Sequence, residues 1–333
     1  MNKELIDHIE AELFSSSGKH YVILATTANV NNPSFYVGSL RHGYGIAAAN
    51  LIFAAPDFLP EVINRFDGRI EAFLIDTEIK NSFEDLEVQA EKLIRKTPIV
   101  HIKPNDMTIT ALDLWLTLLL PTMRGMSTLI VGTGNIGAKI ALILAERGAE
   151  VRLFDRDTAK LERIIFGLNE IKRGHGHLKL ADIDKPAIGA NVILGCTPGI
   201  SAITSSMINQ AAKDSIVIDV GNGTLFPEAI ETANHRDIRV FCLSPEAGFI
   251  GWILALAHAR EQINNMKRRI YPNGIAVIGP GVLGAYGEII VDNPDNWHRI
   301  LGVCDGQGDI LLPEIGSSFI QKLLTTQKDT SND

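Results

Sequence analysis

Six residues, Gly132-Thr133-Gly134-Asn135-Ile136-Gly137, place three glycines at a spacing suited to holding a pyrophosphate. The apolar run 128–132 reads as a buried strand and 135–147 as a helix, so the glycines occupy a strand-to-helix turn. Gly132 takes the tight backbone geometry, Gly134 lets the main chain approach the phosphates, and Gly137 lets the helix pack closely on the sheet. Unpaired amides at the helix start, with the positive end of its dipole, complete an anion site. The bland alternative is a glycine turn that packs a helix and binds nothing. The strand–turn–helix context favours a dinucleotide.

Asp155 ends the next strand, Ala149–Asp155, at the place of a ribose-binding acid. A carboxylate there accepts hydrogen bonds from the adenosine hydroxyls and repels a 2′-phosphate, which favours NAD. Its neighbour Arg156 suits a 2′-phosphate, so NADP stays open. Two later loops fit the same site. Cys196-Thr197-Pro198 follows a buried strand where a cofactor edge would pass, and Gly221 lies in Asp219-Val-Gly-Asn-Gly223 at another strand end. Either loop serves equally as a plain turn, and Asp219 as a cap. A second triplet, Gly279-Pro-Gly281-Val-Leu-Gly284, reads as a tight turn instead, because Gly287 interrupts the helix that should follow and Pro294 breaks the next element.

Hydride transfer at a carbon bearing oxygen or nitrogen also requires a proton to move on the heteroatom. A lysine with a carboxylate neighbour can donate that proton and be restored to its charged state. Lys80 and Asp106 each follow a strand of the N-terminal region, Arg69–Asp76 and Pro98–Lys103, and are the candidate pair. Lys103 is the rival, and a solvated surface lysine the plain alternative. His42, in Ser39-Leu-Arg-His-Gly-Tyr44, lies in a loop with a basic neighbour suited to an anionic substrate or a proton relay. His258 reads as a helix-packing residue, and His175 and His177 as too isolated for a metal. With no HExxH, EF-hand or GxSxG pattern, neither a metal site nor a hydrolase is expected.

These residues need a frame. The chain has 333 residues, 46% hydrophobic and 21% charged, enough for two domains with proper cores. A net charge of −8 without a Lys/Arg cluster argues against a nucleic-acid partner. Cys196, Cys242 and Cys304 form no CxxC pair and fall in apolar stretches, as inert thiols do. The N-terminus has no secretion-type apolar region, and the longest apolar run, Ala111–Pro121, is too short to span a bilayer. The expectation is a cytoplasmic protein with no membrane partner, working on a small molecule as a homodimer.

Strand and helix patterns alternate along the chain, which predicts an α/β protein. The expected architecture is a doubly wound parallel-sheet Rossmann domain over 122–245, a smaller N-terminal α/β substrate domain over 1–121, and a returning helix with a β-rich appendage over 246–333. Within the first domain, Tyr21–Thr26 reads as a buried strand, Ile46–Ala54 as a small-residue helix, Phe83–Arg95 as a helix and Thr108–Leu120 as the linking helix. Residues from Thr325 onward are expected to fray.

This order of parts resembles the shikimate dehydrogenases and methylenetetrahydrofolate dehydrogenases over roughly residues 20–265. The resemblance is carried by Lys80 after its strand, Asn105-Asp106 before the linking helix, Cys196-Thr-Pro-Gly-Ile-Ser201, Ala247-Gly248 and Ala257-His-Ala259. It implies an NAD(P)-dependent dehydrogenase in which Lys80 and Asp106 face the substrate. Met107 stands where those enzymes have a glycine, and Ser34 and Ser39 match their substrate-binding serines only loosely. An enzyme that uses bound NAD without net redox change, or a non-catalytic NAD-sensing scaffold, are the other readings of the same residues.

Overall fold

The computed structural model describes residues 2–29, 32–80, 86–271 and 274–330. The chain forms two compact units, Met1–Trp252 and Ile253–Asp333.

In the first unit, α1 (Asn2–Ser15) leads into β1 (Lys19–Thr26), β2 (Phe35–Val37), β3 (Arg41–Gly43) and β4 (Ile46–Phe53). Then come α2 (Leu59–Phe66), β5 (Ala72–Asp76), α3 (Leu86–Leu93) and β6 (Ile99–Ile102). The first sheet runs β2-β4-β1-β5-β6, with β3 also on β4. Strands β4, β1, β5 and β6 are parallel, while β2 and β3 run antiparallel to β4. The parallel strands are covered on both faces, which is why β1 and β5 read as unbroken apolar runs.

The segment expected as a helix at Ile46–Ala54 is instead strand β4. Every one of its residues is buried, and it pairs with β1 in register from Lys19↔Ile46 to Thr26↔Phe53. Its three alanines let helices lie close on a parallel sheet, and that packing overrides their helical propensity. The helix expected over Phe83–Arg95 is α3 at Leu86–Leu93; residues 83–85 lie outside those described.

Linking helix α4 (Pro104–Leu119) starts four residues before the expected Thr108. Pro104 occupies the first turn, where its missing N–H costs nothing and its fixed φ suits the helix. Asn105 and Asp106 therefore lie inside the helix rather than before it. Helix α4 buries Ile109, Leu112 and Leu116 in the same core as Ile130, Ile140 and Leu144 of the second sheet layer. This packing fixes the second sheet against the helix that leaves the first.

The second sheet is built from β7 (Ser127–Val131), α5 (Asn135–Glu146), β8 (Glu150–Phe154), α6 (Thr158–Ile171) and β9 (His177–Leu180). It continues through β10 (Val192–Gly195), α7 (Ser205–Gln210), β11 (Ile216–Asp219), α8 (Pro227–His235) and β12 (Arg239–Cys242). All six strands are parallel, in the order β12-β11-β10-β7-β8-β9. That is the doubly wound Rossmann order, with its switch point between β7 and β10. Strand β9 places His177 on an edge of this sheet.

Helix α9 (Glu246–Asn265) leaves the second sheet and runs across the unit boundary. In the second unit β13 (Arg268–Ile270), β14 (Ala276–Ile278), β15 (Ile289–Val291) and β16 (Ile300–Val303) form a four-stranded sheet in that order. Helix α10 (Pro313–Thr330) covers it, with Phe319 and Leu323 packed on Val277, Ile289, Val291 and Val303. The end expected to fray from Thr325 is thus helical as far as Thr330. Gly279-Pro-Gly281 is a turn, with Gly281 at φ +87°, and no helix follows it before β15. Among the described residues no helix is long and apolar enough to cross a membrane.

Leu112 is fully buried in the core shared by α4 and the second sheet. Replacing it with alanine leaves a cavity and is expected to cost about 2–5 kcal/mol. Urea unfolding should show this as a lower midpoint with little change in slope.

Candidate active site

The glycine turn lies at the switch point, where three loops meet. The Gly132 amide donates to the Phe154 carbonyl, the Cys196 amide to Val131, and the Val220 and Gly221 amides to Gly195. The contacts leave no room for side chains. A Cβ on Gly137 would lie 2.0 Å from the Gly132 carbonyl oxygen, and one on Gly221 only 1.8 Å from that of Thr197. Gly132, at φ +95°, would meet the Thr197 amide at 2.8 Å. Gly134 is different: nothing stands within 4 Å of the place its Cβ would take. It is also the N-cap of α5, which receives no side-chain cap. The turn thus presents an open, uncapped helix start, with Asn135 and Ile136 beside it in the cleft lining. This is the local geometry that suits a pyrophosphate.

Asp155 is committed to the turn. Its Oδ2 accepts the Thr133 amide at 2.6 Å and the Thr133 hydroxyl at 2.9 Å. Burial pulls its pKa upward, but the hydrogen bonds from Thr133 and from the backbone of Asp157 and Arg156 outweigh this and hold it below the usual carboxylate range. The carboxylate therefore stays charged at the end of β8, with the exposed Arg156 beside it. Asp219 turns inward as a cap. It accepts the Gly223 amide at 2.6 Å and the Thr224 hydroxyl at 2.8 Å.

The facing wall comes from the first sheet. Register brings the ends of β4, β1, β5 and β6 to one edge, with Thr26 opposite Phe53 and Asp76 opposite Ile102. Buried Asp76 accepts the Thr26 amide and hydroxyl on Oδ2 and the Glu78 amide on Oδ1. Lys80 adds its ammonium 2.7 Å from Asp76 Oδ2 and 3.4 Å from Glu78 Oε2, and its side chain is only 12% exposed. Glu78 Oε2 also accepts the Asn105 amide at 3.0 Å. Lys80 is therefore a held, largely desolvated cation, not a solvated surface lysine.

Asp106 is not its partner. The Asp106 carboxylate pairs with Lys103 at 3.0 Å and with Lys139 of α5, which ties α4 to α5. Burial raises its pKa, but the two lysines more than offset this and hold it below the usual range. The carboxylate neighbours expected for Lys80 are Asp76 and Glu78, on its own strand end. The strand pattern hid them, because Asp76 reads as the last residue of a buried strand.

Between these walls lies a cleft of about 620 Å³. It is lined by Lys80, Asn105 and Arg41 from one side and by Gly134, Asn135, Ile136, Cys196, Thr197, Pro198 and Gly221 from the other. Asp106, Asp155 and Arg156 are not among the lining residues. His42 is exposed, and its amide donates to Glu246. Arg41 beside it turns inward, with its guanidinium 3.8 Å from the Phe249 ring centroid. Burial pushes Arg41 down to about 10, with Glu246 acting in the opposite direction. Away from the cleft, His101 Nε2 lies 3.3 Å from Glu87 and 3.1 Å from Glu91.

Residues 127–191 match the family described as 3-hydroxyacyl-CoA dehydrogenase, NAD binding domain. NAD or NADP is thus the cofactor that the turn suits. No curated protein matches the chain. Similar solved structures include the methylenetetrahydrofolate dehydrogenase/cyclohydrolase of Campylobacter jejuni, 14% identical, covering 78% of this chain and 96% of that one at a TM-score of 0.41. Shikimate 5-dehydrogenase of Listeria monocytogenes, in complex with shikimate and NAD, is 14% identical, covering 69% and 88% at 0.41. Dipicolinate synthase A chain of Bacillus subtilis is 14% identical, covering 74% and 98% at 0.36. Both enzyme groups that the residue pattern resembles are therefore represented among these similar structures.

Two outcomes follow from this geometry. Gly134→Ala has room in the free protein and should cost it no more than about 1 kcal/mol as a poorer N-cap, yet bind NADH about tenfold or more weakly. Fluorescence titration checks the second part and a thermal melt the first. Burial, with Asp219 adding to it, pushes the Cys196 thiol up to about 12. Its thiolate is therefore negligible at mildly alkaline pH, and iodoacetamide followed by peptide mass spectrometry should modify exposed Cys242 and spare Cys196.

Proposed function

We propose that this chain is an NAD(P)-dependent oxidoreductase acting on a small polar metabolite: a hydroxy acid, a cyclic alcohol, or an imine or amino acid. The observation that carries the reading is that the open cradle at Gly134 and the buried ammonium of Lys80 face one cleft. In this reading residues 122–245 hold the cofactor and residues 1–121 the substrate.

When bound, the nicotinamide supplies a hydride donor or acceptor. The chain supplies the rest. The amides at the start of α5 receive the pyrophosphate, and Gly134 lets it approach. Asp155 accepts the adenosine ribose hydroxyls on the lone pairs that Thr133 leaves open. Its charge disfavours a 2′-phosphate, which supports NAD over NADP.

Lys80 holds a proton at Nζ and directs it to the substrate heteroatom, while Asp76 and Glu78 fix the ammonium's position. Asp106 acts at one remove, by joining α4 to α5. Cys196 contributes shape and not a nucleophile, since its thiol stays protonated.

Titration of the purified protein with NADH and NADPH tests the cofactor reading, and binding of NADH in preference to NADPH is expected. A screen of small oxo acids, cyclic ketones and imines by nicotinamide absorbance should then find turnover. Lys80→Met should cut that turnover by about 10²–10⁴ while leaving NADH affinity unchanged. If neither cofactor binds, the reading falls.

A further inference from the structure

Arg41 and Asn50 bring polar side chains to the cleft. Arg41 on β3 pairs opposite Ala48 of β4, so Asn50, two residues on, projects from the same face of the sheet. Both line the cleft. Arg41 Nε is buried with no hydrogen-bond partner among the described residues. The Asn50 residue is only 7% exposed. Leaving a group such as Arg41 Nε desolvated and unmet is costly, and native proteins rarely do so without a ligand or ordered water. Phe249 beneath the guanidinium holds its plane without consuming its donors.

Charge points the same way. The chain carries a net charge of −8, yet the described lining contains two cations, Arg41 and Lys80, and no carboxylate. The acid acting on Arg41 is Glu246, which spends a carboxylate oxygen on the His42 amide. A planar guanidinium fork with a carboxamide on the same face of the sheet matches an anionic group with two oxygens in one plane.

We propose that Arg41 and Asn50 form the anchor for an oxyanion substituent of the substrate, a carboxylate or a phosphate, whose reacting carbon then faces Lys80 and the cofactor cradle. This rests on the oxidoreductase reading and narrows it: neutral alcohols and ketones are poor substrates, and oxo, hydroxy or imino acids and sugar phosphates are the class to expect. Arg41 is on this account a specificity-determining residue that binds and orients, while the proton transfer remains with Lys80.

The test uses benzoate, glutarate and inorganic phosphate as anionic probes and benzamide as the neutral counterpart. Saturation-transfer NMR reads their binding to the full-length chain, with and without NADH. Benzoate or glutarate, or phosphate in their place, should bind while benzamide does not, and which anion binds separates the two sources. Arg41→Gln should weaken that anion about tenfold or more, Arg41→Lys less, and neither should change NADH affinity. Unchanged NADH affinity also shows that the variants fold. The proposal is overturned if no anion binds, if benzamide binds equally well, or if Arg41→Gln leaves anion affinity intact. It is overturned too if Arg41→Gln weakens NADH instead, which would assign Arg41 to the cofactor. If the parent chain binds no NADH, the oxidoreductase reading fails, while the probe series without cofactor still decides what Arg41 holds.

Discussion

At the carboxyl edge of the second sheet three turns approach one another until backbone meets backbone. Gly132 lies against the Thr197 amide, Gly137 against the Gly132 carbonyl, and Gly221 against the Thr197 carbonyl. A methyl group at any of these positions would displace main chain, and main chain pinned by parallel-sheet hydrogen bonds cannot yield. This close approach lies beside the point where the strand order reverses, where the connections after β7 and β10 leave to opposite faces and a crevice opens. The uncapped start of α5 opens into that crevice. What the turn can bind, and where a substrate must sit to meet it, both depend on this contact.

The opposite wall is organised by charge. Asp76 is buried beneath the first sheet's edge with a backbone amide and a hydroxyl of Thr26, the Glu78 amide and the Lys80 ammonium as partners. A buried carboxylate this well satisfied is tolerable, and removing one partner would leave charge stranded. The cost of that arrangement fixes Lys80 in place. The ammonium therefore faces the cleft as a positioned group, not as the end of a mobile side chain. Helix α4 carries the geometry from one wall to the other, through its buried leucines and through the bridge from Asp106 to Lys139. The same principle reaches the far end of the cleft, where Phe249 of α9 supports Arg41.

Much of this was legible from residues alone, and the reasons are physical. Strand β7, the glycine turn and α5 could be read because a parallel strand buried on both faces is a bare apolar run and because glycine spacing reports backbone approach directly. Strand β4 could not. Its alanines carry helical propensity, and only pairing with β1 shows that they are sheet residues under packed helices. That misreading concealed Asn50, and with it the face it shares with Arg41. The Lys80 partnership was half legible: the need for a carboxylate followed from the chemistry, but Asp76 hid at a strand end and Asp106 was nearer the pattern expected. Distances across α4 and α5, which decide between the two, are tertiary facts.

A crystal structure of the protein with NAD bound tests the central claim most directly. The account predicts pyrophosphate density at the α5 start beside Gly134, with the nicotinamide ring in the cleft between Cys196 and Lys80. Density for the cofactor elsewhere on the chain, or a nicotinamide turned away from Lys80, would contradict it.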